Sequence, residues 1–206
     1  MNSDKMQIAK ALVDSGAVKI NLVDLFTWTS GIKSPVYCDN RLLIGFNNYR
    51  NAVVEALISK ASEFGEYDYI AGTATAGIPW ASILADRLAK PLCYVRSEPK
   101  AHGAGKQVEG HLETGKRVLL VEDHFSTGGS SINSAEALRR EGSADVVGVL
   151  AITSYDLTKM KAKMEEAQLS YASVLTFADI ANYAKEVGMI NEAGVAQIAD
   201  FLNSLN

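Results

Sequence analysis

The chain has 206 residues, with 24 acidic and 20 basic side chains and a net charge of −4. That length suits one domain with a substantial core, and the acidic balance excludes the broad basic footprint of a nucleic-acid binder, so any phosphate affinity must be local. Cys38 and Cys93 lie far apart with no metal-ligand spacing, no segment reaches the length of a membrane span, and the N-terminus lacks the apolar run of a secretory signal. A soluble, cytoplasmic protein with no membrane or nucleic-acid partner is expected.

In chain order, Met6, Ala9, Leu12 and Val13 recur at helical spacing, and Gly16 supplies a stop. The stretch 26–41, FTWTSGIKSPVYCDNR, is punctuated by Ser30, Gly31, Ser34 and Pro35 before it turns extended through Val36, Tyr37 and Cys38, which predicts an irregular hairpin. Apolar residues between Asn48 and Phe64 trace a helix, and residues 67–71 predict a strand. Gly72 to Pro79, GTATAGIP, follows that strand and opens a further helix through Leu88, making it a candidate phosphate loop. After a short strand over Leu92–Val95 comes RSEPKAHGAGKQVEGHL, residues 96–112. It is long, polar and glycine-rich, so it is expected to be mobile without ligand, and it concentrates Arg96, Lys100, His102 and Lys106.

The stretch the chain is organised around is VLLVEDHFSTGGSS, Val118 to Ser131. Val118–Val121 is the short apolar run of a strand buried on both faces of a parallel sheet. Glu122 and Asp123 follow, then a loop of small residues leading to the helical pattern INSAEALRRE. Unpaired N–H groups and the positive end of a helix dipole favour a phosphate at such a junction. Gly128 and Gly129 let the backbone approach it, and Ser126, Thr127 and Ser130 offer hydroxyl donors. The two carboxylates are badly placed for phosphate and well placed for sugar hydroxyls or a hydrated cation. A sugar phosphate is the ligand this implies. Beyond it, a strand over 144–153, a helix over 156–167, a strand over 171–177 and a C-terminal helix including 190–205 complete an alternating α/β pattern.

The central stretch resembles the phosphoribosyl-pyrophosphate (PRPP) signature of type I phosphoribosyltransferases. Residues 26–41, with Ser-Gly, Ser-Pro and Tyr-x-Asp-x-Arg elements, resemble the hood of the orotate phosphoribosyltransferases, and Arg96-x-x-x-Lys100-x-His102-Gly103 resembles that family's catalytic loop. The resemblance implies a single domain over 1–206, a parallel sheet flanked by helices, with a small hood from about residues 1–45 and part of the C-terminus. It implies PRPP contacts from Glu122, Asp123, His124, Phe125, Ser126, Thr127, Gly128, Gly129, Ser130, Arg96, Lys100 and His102. Catalytic roles would fall to Arg96, Lys100, His102 and Asp123, and orotate contacts to Lys33, Tyr37, Arg41 and Thr127. It further implies Mg²⁺ held weakly, through water, by Glu122 and Asp123, and a homodimer whose catalytic loop is shared across subunits. The chain departs from the family pattern at His124 and Phe125, usually aliphatic, and at Thr29, Thr75, Ala76 and Ser97. It departs again at Ser154–Asp156, where many members carry an arginine for the orotate carboxylate. A purine phosphoribosyltransferase shares the central motif without the hood, and a PRPP-sensing regulator would lack the catalytic loop or carry a basic extension.

Overall fold

In the computed structural model, which describes residues 3–28, 31–99 and 105–206, helix α1 (Ser3–Asp14) ends ahead of Gly16, whose φ of 73° only glycine adopts without strain. Four short strands follow: β1 (Val18–Ile20), β2 (Phe26–Thr27), β3 (Lys33–Ser34) and β4 (Val36–Cys38). β1 pairs antiparallel with β4 and β2 with β3, so the expected irregular hairpin is two small ribbons. A 3-10 turn, Asn40–Gly45, connects them to helix α2 (Asn47–Ala61). From there strands and helices alternate: β5 (Tyr69–Thr73), α3 (Gly77–Arg87), β6 (Leu92–Val95), β7 (Val108–Glu109), β8 (Arg117–Phe125), α4 (Gly129–Gly142), β9 (Asp145–Ser154), α5 (Thr158–Glu166) and β10 (Tyr171–Thr176). Helices α6 (Phe177–Glu186) and α7 (Glu192–Ser204) close the chain.

The main sheet has the order β10-β9-β8-β5-β6-β7, parallel throughout except for β7 on its edge. Its central strands are buried on both faces, with Ile70, Ala71, Val118–Val121 and Val149–Ile152 all shut from solvent, as apolar runs in a parallel sheet require. The connection β5–α3–β6 steps one way across the sheet, and β8–α4–β9–α5–β10 steps the other. Right-handed crossovers therefore place α3 on one face and α4 and α5 on the opposite one. The direction reverses between β5 and β8, and a crevice opens at the carboxyl ends of those two strands, where ligands of such sheets bind. Two glycines bring α3 tightly onto this point. A Cβ on Gly72 would lie 2.9 Å from Ile78 Cα, and one on Gly77 would lie 2.5 Å from the Val121 carbonyl oxygen.

The small ribbons sit under the C-terminal helix. Trp28 meets Phe201 of α7 edge-on at 5.6 Å, and Gln197 donates to the Leu22 carbonyl at 2.9 Å. Among the described residues no helix is long and apolar enough to cross a membrane.

Three elements differ from the sequence expectation. β8 runs four residues beyond Val121 because β9 continues to pair with it as far as Phe125↔Ser154. The polar stretch 96–112 is partly packed: β7 pairs with β6, and buried Gln107 is held through its N–H by the Glu141 carboxylate at 2.9 Å. The C-terminal region is two helices, split by Gly188 at φ 77° and restarted by an Asn191 side chain that accepts from Gly194 N–H.

Candidate active site

Beyond Val121 the β5 side of β8 is unpaired, because the β5–β8 register ends at Gly72↔Val121 while β9 continues along the other side. Glu122 and Asp123 stand at this one-sided end of the strand. Glu122 is 5% exposed: its Oε1 accepts the Asp123 N–H at 3.0 Å and its Oε2 accepts the Ser130 hydroxyl at 2.8 Å. Burial, reinforced by the neighbouring Asp123 charge, holds its carboxyl well above the ordinary range, at about 8. Burial also raises Asp123, against the Arg41 cation, whose field acts to lower it.

Two helix N-termini flank the acids. α4 starts after Gly128, which caps it at φ 79°, and its first N–H groups have no partner within the helix. Ser126, Thr127 and Gly129 are exposed there, and a Cβ added to Gly129 would meet nothing within 4 Å. On the other side α3 starts at Gly77, against Glu122 Cα. The intervening turn has a cis Ala74–Thr75 peptide and is tied by Ala74 N–H to the Val95 carbonyl at 2.8 Å. Each N-terminus favours an anion. A site with two anion cradles and two carboxylates between them suits a ligand with phosphates at both ends and hydroxyls in the middle.

The hood reaches this crevice through Asn40, whose Nδ2 donates to the Asp123 carbonyl at 2.8 Å. Next to it, exposed Arg41 forms a two-point pair with Asp39, Nε to Oδ1 at 2.6 Å and Nη2 to Oδ2 at 2.8 Å. Tyr37 is exposed on β4 with its ring 6.0 Å from Phe26. Lys33 is exposed on β3 and donates to Thr27 Oγ1 at 2.6 Å; no described contact joins it to the acids. Arg96 stands exposed just past β6, 3.7 Å from Glu109. Lys100 and His102 lie outside the described residues.

Three expected contacts are placed differently. Phe125 is 1% exposed and its ring packs toward Tyr171, so only its main chain faces the loop. The His124 ring turns inward as well: its Nδ1 is 2.9 Å from Thr153 Oγ1, its Nε2 is buried without a partner, and Tyr155 lies edge-on at 4.2 Å. Burial lowers its pKa to about 4, so it is neutral. The Ser130 hydroxyl donates to Glu122 at 2.8 Å, while its main-chain N–H belongs to the first turn of α4. The sequence reading also missed Asn40 and Thr153. Asn40 occupies an unconstrained position of Tyr-x-Asp-x-Arg, and Thr153 is one polar residue in an apolar strand, so no spacing marks either.

The donor set suits a hydrated divalent cation. Glu122 and Asp123 are adjacent carboxyls whose pKa values burial raises, and a nearby cation would favour their ionised forms.

A family model described as "Phosphoribosyl transferase domain" matches residues 47–181. The chain is 43% identical over 200 residues to an orotate phosphoribosyltransferase of Staphylococcus saprophyticus, covering 97% of this chain and 98% of that one. Among solved structures, the orotate phosphoribosyltransferase of Aeropyrum pernix matches with a TM-score of 0.75 and 34% identity over 89% of this chain and 99% of that one. The UMP synthase of Leishmania donovani matches with a TM-score of 0.82 and 28% identity over 97% of this chain, which spans 42% of that longer protein. With a crevice at the β5–β8 reversal, an acid pair between two helix N-termini and full-length likeness to these relatives, the chain belongs to the orotate phosphoribosyltransferase family.

Proposed function

We propose that the crevice transfers the phosphoribosyl group of PRPP to a ring nitrogen of orotate, giving orotidine 5-monophosphate and pyrophosphate. The observation that supports this most is the buried acid pair set between two anion-binding helix ends, with the Arg41 cation acting on it from the hood. The α4 N-terminus binds the 5-phosphate, with Ser126 and Thr127 as hydroxyl donors, and the α3 N-terminus binds the pyrophosphate. Asp123, the less buried acid, faces the ribose hydroxyls, while Glu122 fixes the turn through Ser130 and the Asp123 N–H.

The bond from C1 to the pyrophosphate oxygen breaks as the bond from the orotate nitrogen forms on the opposite face, so C1 inverts. Positive charge grows on the sugar, and the Asp123 carboxylate stabilises it; negative charge grows on pyrophosphate, and Arg96, Lys100 and His102 stabilise that. The attacking ring nitrogen releases its N–H proton to solvent as its bond to C1 forms, and Lys100 or His102 donates the proton the leaving group takes. Arg41, with Lys33, Tyr37 and Thr127 as further contacts, recognises the orotate carboxylate. Glu122 and Asp123 would hold Mg²⁺ through water, and the ion would supply neutralisation of the pyrophosphate charge. The working form is a cytoplasmic homodimer in which the loop carrying Lys100 serves the neighbouring subunit.

The test is turnover with three bases under identical PRPP and Mg²⁺. Orotate is converted. Uracil, which lacks the carboxylate, falls about tenfold or more in kcat/KM, because it forgoes the charge-assisted hydrogen bonds that orotate makes with Arg41. Equal efficiency with uracil, or turnover of hypoxanthine alone, would overturn the assignment.

A further inference from the structure

Behind the acid pair lies a polar cluster in an otherwise apolar layer. Thr153 is fully buried on β9 and registered opposite His124 on β8. Its Oγ1 accepts from Asn40 Nδ2 at 2.7 Å, lies 2.9 Å from His124 Nδ1 and 3.8 Å from Cys38 Sγ. The Cys38 thiol donates to Asn40 Oδ1 at 3.4 Å, and the second Asn40 Nδ2 proton goes to the Asp123 carbonyl.

The donor count closes in one arrangement. A threonine hydroxyl has one proton and two lone pairs. Thr153 accepts from Asn40 and from His124 Nδ1–H and donates to Cys38 Sγ, which donates on to Asn40 Oδ1. Three side chains thus form a closed ring, with the imidazole as a fourth member, and every hydrogen in it is used. Burial keeps the Cys38 thiol protonated, pushing it up to about 12. Tyr155 packs against the imidazole and on its other side stacks on Trp28 of the hood, at 5.2 Å.

This ring ends on the main-chain carbonyl of Asp123 in β8, which Asn40 holds, and the residue after Asn40 is Arg41. The ring therefore fixes the distance between the hood, which carries the base-reading cation, and the strand that carries the sugar-facing acid. We propose that Thr153, through Asn40 and His124, is a positioning residue for phosphoribosyl transfer: it sets where orotate sits relative to the reacting carbon and leaves the phosphate sites alone. The inference rests on the function proposed above.

The experiment compares Thr153→Val, which keeps the shape and removes the hydroxyl, with Thr153→Ser, which restores it. Thr153→Val should lower kcat/KM for orotate by about tenfold or more with the KM for PRPP within about twofold, and Thr153→Ser should recover to within about threefold of wild type. A loss of thermal stability with unchanged orotate kinetics would overturn the proposal, as would equal kinetic losses in both variants or a loss confined to PRPP. Should Thr153→Val not fold, Asn40→Asp, which removes the donor to the Asp123 carbonyl at constant shape, takes its place with the same two kinetic readouts. A wild-type protein inactive on orotate would instead count against the parent function.

Discussion

Glu122 keeps its carboxyl out of water, beside another carboxylate, with a serine hydroxyl and one N–H as its hydrogen-bond donors. Its pKa in the folded protein is raised from 4.5 to about 8, so between those values the folded chain binds a proton the unfolded chain has released. Stability therefore falls as pH rises from about 4.5 through about 8, and the penalty is fully present above that. Glu122→Gln, a neutral group of the same shape, should flatten the decline of Tm between pH 5 and 8; a wild-type Tm that rises across this window would contradict the assignment. Of the site residues, the acid pair and the glycines were legible in the sequence because their chemistry is local to one strand–loop–helix junction. The inward turn of His124 was not, because it depends on Thr153, which β9 supplies, and on Asn40, which the hood supplies. Ser130 was read as a phosphate donor for the same reason: nothing in its neighbours says that its proton is taken by Glu122.

At the level of elements, α4 carries the strongest expectation. Its N-terminus opens on the crevice, and the space over Gly129 is empty of protein. Gly129→Val would fill it with a branched side chain while leaving the helix's burial unchanged. PRPP affinity, measured by calorimetry on folded protein, should fall by on the order of tenfold or more, since N–H groups act on a phosphate only at contact distance. Unchanged affinity would reduce the loop to a turn. The parallel strands and their helices were predicted within a few residues, because apolar runs and glycine stops encode them directly. β7 was not, since Val108–Glu109 is two residues in a polar stretch that pairs with β6 while Glu141 accepts the Gln107 and Val108 N–H groups. The break between α6 and α7 was equally hidden: Thr176 and Asp179 form a capping box and Asn191 a second cap, signals that a continuous C-terminal pattern masks.

Across the whole molecule, the reversal of sheet direction between β5 and β8 decides where chemistry takes place. It leaves one edge of β8 open and seats two helix N-termini beside it. The N-terminal ribbons, braced by α7 through Trp28 and Phe201, deliver Arg41 to that opening. Under the proposed function, phosphoribosyl transfer to orotate takes place there, with Asp123 facing the sugar. Its most direct test is to quantify orotidine 5-monophosphate and pyrophosphate in one assay, for wild type and for Asp123→Asn, with and without Mg²⁺. Equimolar products are expected from the wild type with the cation, none above background without it, and kcat/KM lower by on the order of a hundredfold in Asp123→Asn. Pyrophosphate released without orotidine 5-monophosphate, or full activity in Asp123→Asn, would contradict this reading.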